Sequence, residues 1–149
     1  MSSEAAAGGS FRGHTHVLPV RIYFEDTDFS GVVYHANYLR YLERGRSDCL
    51  RLMGIHHRDL WEREEPVAFT IQRMEIDFRI PAVIDDVLEV HTRYAHLSGA
   101  RLNAEQSIWR GQDEIVRAHV FAGCINHQGR ARRIPQDVRA ILERFMSSG

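Results

Sequence analysis

The apolar residues of this chain repeat with one period up to Met53 and with another from Val67 onwards. Between Asn37 and Met53, the residues Tyr38, Leu42, Gly45, Cys49 and Leu52 or Met53 recur every three or four positions, which is the spacing of one helix face. Arg40, Arg44, Ser47, Asp48 and Arg51 fall on the opposite side. Asn37 is placed to cap the start of this helix, and Gly54 follows its last apolar position as a helix-ending glycine should. Phe69–Ile80, Val87–Leu97, Ala100–Arg110 and Glu114–Asn126 are then long and rich in β-formers. Ser98-Gly99 and Gly111-Gln112-Asp113 read as tight hairpin connections, so these strands are expected to form an antiparallel meander. Val17–Phe24 reads as an earlier strand, Ile55–Pro66 as an irregular charged stretch with a short helical turn, and Gln136–Met146 as a closing amphipathic helix after Pro135. One long helix cannot cover both faces of a sheet. It can be held in the concave side of a strongly curved one, which makes the expected class α+β, a curved antiparallel sheet wrapped around one central helix. The sheet edge and the uncovered face then call for a second copy, a homodimer.

A length of 149 residues argues for one domain, expected over residues 17–149, and 44% hydrophobic residues can fill its core. Residues 1–16, rich in Ala, Gly and Ser at their start, read as a disordered tail with neither the charged nor the apolar region of a signal peptide. No stretch approaches the length of a membrane span. The net charge of -1 gives no reason to expect nucleic acid or an anionic membrane as a partner. All 19 basic residues are arginine, which excludes a Schiff-base lysine and a P-loop lysine. Cys49 and Cys124 stand far apart and outside any CxxC pattern, as reduced thiols of a cytoplasmic protein do.

The run Glu25 to Tyr38 carries the densest chemistry, with three carboxylates, a glycine turn, a Tyr-His pair and a helix start in fourteen residues. An acid just before a helix N-terminus suits acyl transfer. The carboxylate attacks or activates water, and the free N–H groups of the helix start hold the developing oxyanion. Asp28, followed by Phe29-Ser30-Gly31, is the first candidate; a solvated loop aspartate or a turn former is the plain alternative. Glu25 and Asp26 nearby are expected to raise its pKa. Tyr34 and His35 stand at the helix entrance, where His35 either orients a carbonyl or merely caps and packs. Glu43 reads as structural, paired with Arg46 or Arg40. The nine histidines form no ligand set, so no metal is expected. No GxGxxG, P-loop or GxSxG elbow occurs.

The segments Val20–Asp28 and Gly31–Tyr38, with Tyr41–Arg46 and Phe78–Ala82, closely resemble the hotdog-fold acyl-CoA thioesterases of the Tol–Pal-associated and 4-hydroxybenzoyl-CoA thioesterase group. The likeness spans roughly Val17 to Gln128. It implies the hotdog fold, dimers often paired into tetramers, and hydrolysis of an acyl-CoA thioester with no cofactor, since CoA is part of the substrate. It implies that Asp28 is the nucleophile or general base, that the His35 N–H polarises the carbonyl, and that Tyr34 and the His35 side chain line the same cleft. Arginines near strand ends would bind the CoA phosphates, with Arg79, Arg101 and Arg132 the foremost candidates and Arg130 and Arg133 beside them. Phe29 stands where relatives carry small residues or proline, and is expected to narrow or reshape the acyl pocket. Two other readings remain open: a hotdog dehydratase or hydratase on acyl thioesters, and a non-catalytic acyl-binding or scaffold module.

Overall fold

A computed structural model describes residues 8–146. Six strands form one antiparallel sheet: β1 (Ser10–Arg12), β2 (Thr15–Arg21), β3 (Val67–Phe78), β4 (Val87–Ser98), β5 (Arg101–Arg110) and β6 (Asp113–Asn126). The helices are α1 (Ala36–Met53), α2 (His57–Trp61) and α3 (Gln136–Met146). The sheet curves around α1 as the hotdog fold requires. No described helix is long and apolar enough to cross a membrane.

The stripe read from the sequence is the buried face of α1: Tyr38, Leu42, Gly45, Cys49 and Met53 are all buried, while Leu52 is exposed. Gly54 ends the helix at φ 94°, its N–H donating to the Arg51 carbonyl and that of Ile55 to the Leu50 carbonyl, a Schellman closure. Gly45 lets the helix approach β4 closely; a Cβ there would lie 2.8 Å from Val90 Cγ1 and 2.9 Å from Thr92 Oγ1. Gln106 fastens the contact, its Nε2 donating to the Leu42 carbonyl (2.9 Å) and to Thr92 Oγ1 (2.8 Å), while Arg46 Nη1 donates to its Oε1.

The strand order β1-β2-β4-β5-β6-β3 corrects the expected four-strand meander. Of those four strands, only β4, β5 and β6 follow one another. The place beside β4 is taken by β2, with His16 opposite Thr92 and Arg21 opposite Val87, so β3 pairs with the remaining side of β6 and becomes an edge.

The expected tail is also corrected from Ser10 onwards, where β1 and β2 pair as a hairpin. Residues 1–7 lie outside the described residues. His16 is fully buried and shares a 2.7 Å hydrogen bond with Asp48 Oδ2, the oxygen that also accepts the Gly9 N–H at 2.8 Å, while Arg51 pairs with Oδ1. Asp48 is therefore not on a solvated helix face. A polar N-terminal stretch is ordered here because its acceptor lies on α1, which no local pattern reveals.

Candidate active site

The loop between β2 and α1 is held at both ends. The Asp26 carbonyl accepts the Tyr34 N–H (3.0 Å) and Asn37 Nδ2 (2.9 Å), so Asn37 ties the loop to the helix start instead of capping it, and α1 begins one residue earlier. The Asp26 carboxylate accepts the Tyr23 N–H at 2.8 Å. Thr27 bridges Val33, and within that bridge the Asp28 N–H donates to the Val32 carbonyl and the Gly31 N–H to the Asp28 carbonyl. Gly31 sits at φ 89°, a left-handed conformation that this turn requires.

Asp28 is thereby presented on the tip of a tight turn. Its Oδ1 accepts both the Ser30 N–H (2.8 Å) and the Ser30 hydroxyl (2.5 Å). Among the described residues its Oδ2 accepts no hydrogen bond. The Ser30 hydroxyl, and after it the Ser30 N–H, hold the Asp28 carboxyl below the usual aspartate range, so the group rests ionised at neutral pH. The expectation that three neighbouring acids raise this pKa is overturned, because local donors outweigh them.

Asp28 borders a cleft of about 250 Å³ together with Val33, His35, Tyr38, Phe78 and Ile80. Among the described residues, neither the His35 nor the Ala36 N–H donates to a protein acceptor, as expected of the first groups of a helix. The Tyr34 N–H is already engaged by the Asp26 carbonyl and is not such a donor. The Tyr34 ring, half exposed, lies against His35 with ring centroids 4.9 Å apart, beside the cleft and not on its wall. Phe78 meets His35 edge-on at 5.9 Å and leans on Tyr38 at 5.8 Å. Tyr38 read in the sequence as one more member of the helix stripe, and Phe78 as one more strand residue. Neither pattern reveals that the two meet across the cleft. Phe29, expected to shape the acyl pocket, points fully into solvent.

Of the three arginines foremost for the CoA phosphates, Arg79 alone borders this cleft, and its Nη1 is bonded to Glu114 Oε1 at 2.8 Å. Arg101 is opposite Gly123 and the Arg132 N–H donates to the Cys124 carbonyl, whereas Phe78 is opposite Val116. Seven residues of β6 separate these places, about 23 Å at strand rise, so one chain does not gather the three. Arg132 pairs instead with Glu65. Glu43 makes no ion pair among the described residues; its expected partner Arg46 is on Gln106, and Glu43 borders a second cavity of about 280 Å³ beside Leu50, Phe69 and Leu102. Cys49 and Cys124 are both free and buried, and burial pushes the Cys49 thiol up to about 12.

Known proteins resemble this chain in sequence and in overall fold. The thioesterase-like superfamily matches residues 22–142. The acyl-CoA thioesterase YbgC of Haemophilus influenzae is 37% identical over 125 residues, 83% of this chain and 90% of that protein. The acyl-CoA thioester hydrolase YbgC of Escherichia coli is 35% identical over 124 residues, 82% and 91% of the two. The crystal structure of a probable thioesterase from Bartonella henselae superposes with a TM-score of 0.78 at 45% identity, covering 81% of this chain and 99% of that one.

Proposed function

The chain belongs to the thioesterase-like superfamily, and from that we propose that it hydrolyses an acyl-CoA thioester to the free acid and CoA, with Asp28 as nucleophile or general base and the N–H groups at the start of α1 as oxyanion donors. One juxtaposition supports the reading: Asp28, an ionised carboxylate with an unengaged oxygen, and His35, whose N–H is unengaged, border the same small cleft.

In the general-base route, Asp28 Oδ2 takes a proton from water as the water oxygen bonds to the carbonyl carbon. The carbonyl electron pair moves onto oxygen, where the His35 and Ala36 N–H groups and the positive end of α1 stabilise it. The oxyanion then collapses, the C–S bond breaks, and CoA leaves as a thiolate that needs little acid assistance. In the nucleophilic route, Oδ2 itself bonds to the carbonyl carbon, the thiolate leaves, and water hydrolyses the acyl-aspartyl anhydride. CoA enters as half of the substrate, so neither route needs a cofactor. The unpaired edge of β3 supports a homodimer as the working unit.

Asp28→Asn is the decisive variant. Its amide oxygen still accepts both Ser30 donors, so the turn is expected to persist while the anionic oxygen is lost. Thiol release from acyl-CoA should fall at least about 100-fold at an unchanged thermal midpoint. Parental turnover in a folded Asp28→Asn protein would refute the role given to Asp28.

A further inference from the structure

We infer that the outer face of α1 carries a second binding site, separate from the Asp28 cleft, for a small phosphate-bearing anion held by Arg44, Arg51 and Arg58. The inference does not depend on the hydrolase reading.

The net charge of -1 hides an uneven distribution. From Arg40 to Arg58 the chain has five arginines and two acids, Glu43 and Asp48. Arg44, Ser47 and Arg51 recur at three and four residues, so they share one ridge of α1, with Arg44 and Arg51 about 10 Å apart along it. The left-handed Gly54 then turns the chain back, and the Ile55 N–H donates to the Leu50 carbonyl at 2.9 Å. That reversal sets His56, His57 and Arg58 beside the same ridge. Together these residues surround a cavity of about 470 Å³, whose buried apolar lining is Leu18 and Ile55.

Among the described residues, Asp48 is the one acid on its wall, and it is already engaged. Its Oδ1 accepts Arg51, and its Oδ2 accepts His16 and the Gly9 N–H. Glu43 borders the other cavity. Elsewhere on the surface the arginines are matched with acids: Arg12, Arg63, Arg73, Arg93 and Arg117 each hold a carboxylate. Arg44 and Arg58 hold none among the described residues. Arg44 is nonetheless placed in advance, because its guanidinium carbon stands 5.8 Å from the centroid of the Tyr41 ring, which is only 1% exposed.

Unmatched like charges around one concavity repel each other, and an anion between them relieves the repulsion. Guanidinium groups present paired N–H donors that fit the oxygens of a phosphate, while Ser47 adds a hydroxyl and the two histidines add ring nitrogens. A lone carboxylate has too few oxygens to meet donors from three arginines. At about 30 Å³ for each non-hydrogen group, the cavity has room for roughly fifteen, enough for a diphosphate or for a small phosphate ester whose carbon body lies on Leu18 and Ile55. The reaction cleft is elsewhere. Leu18 belongs to β2 and Phe78 ends β3, and these strands lie toward opposite edges of the sheet. Along α1, Arg44 and Arg51 stand about 14 and 24 Å beyond His35.

The test is isothermal titration of the full chain with pyrophosphate, in a phosphate-free buffer at low and constant ionic strength. One ion per chain should bind saturably, and more weakly as chloride is added. Arg44→Gln and Arg58→Gln should each weaken binding about tenfold or more, the loss expected of one charge-assisted contact. Arg51 is left in place, since it also holds Asp48. Arg117→Gln removes the same charge from an exposed position of β6 and should change the affinity by less than about twofold. An absence of saturable binding would overturn the inference, as would an equal loss in Arg117→Gln or an affinity unchanged in both the Arg44 and Arg58 variants. Saturating pyrophosphate should also leave the KM for acyl-CoA where it is in the parent protein. Competitive inhibition that disappears in Arg44→Gln would place the substrate's own phosphates here, and would overturn the second site.

Discussion

Replacing Gly45 by alanine sets two effects of opposite sign against each other. In an exposed helix, alanine is favoured over glycine by about 1 kcal/mol. Here the new Cβ would stand 2.8 Å from Val90 Cγ1 and 2.9 Å from Thr92 Oγ1, against a comfortable carbon–carbon separation of about 3.5–4.0 Å. Val90 and Thr92 are both 0% exposed, so neither has room to retreat. Overpacking of this kind costs about 1–3 kcal/mol. Moving α1 outward to relieve it would stretch the bonds from Gln106 to Leu42 and Thr92, each worth about 1 kcal/mol. With two overlaps at once the strain falls at the upper end of that range, about 2–3 kcal/mol, so after the helix gain of about 1 kcal/mol the net loss should be about 1–2 kcal/mol, with a thermal midpoint lower by roughly 2–8 °C in a chain of this size. Urea unfolding followed by far-UV circular dichroism reads this as a lower midpoint at an unchanged slope. Because α1 also carries the His35 N–H, the displacement should reduce turnover as well. A Gly45→Ala protein as stable as the parent would show that the helix–sheet contact is looser than these distances state, and would refute the reasoning.

Two further outcomes concern protons. Ser30→Ala removes the hydroxyl that does most to lower the Asp28 pKa, so the pH at which activity is lost on acidification should move upwards, while the rate at neutral pH is largely kept; a pH–rate profile of kcat/KM that did not move would contradict the assignment. His16 is buried, and burial, partly offset by Asp48, lowers its pKa below the ordinary 6.5. The unfolded chain then binds the proton more readily than the folded one, so His16 should make stability fall as pH drops below about 6.5. His16→Gln should flatten that limb when unfolding free energy is measured against pH, and an equally steep limb in the variant would sink the idea.

The two kinds of structure differ in how far their causes lie apart along the chain. The span of α1, the hairpins at Ser98-Gly99 and Gly111–Asp113 and the limits of α3 all rest on neighbours within a few residues, and all stand where the sequence put them to within a residue or two. Asp28 before a helix start is equally local, since β2, the turn at Gly31 and the first residues of α1 are contiguous in the chain. Meander pairing for β3 was the simplest reading of consecutive strands. It failed because β2, far earlier in the chain, takes the edge of β4. His16 looked like tail because its partner Asp48 is 32 residues away, and Asp48 looked solvated for the same reason.

What the sequence determined by itself was the class of fold, one helix against long antiparallel strands, and the carboxylate poised before that helix. Periodicity and turn chemistry are short-range, and both features are built from short-range patterns. The tertiary structure alone decided what surrounds the carboxylate. It turned Phe29 out to solvent, brought Phe78 from the far end of β3 against His35 and Tyr38, and left Arg101 and Arg132 about 23 Å along the sheet from Phe78. Those placements follow from strand order and sheet curvature, which depend on pairings between distant segments and leave no periodic trace in the residues that make them.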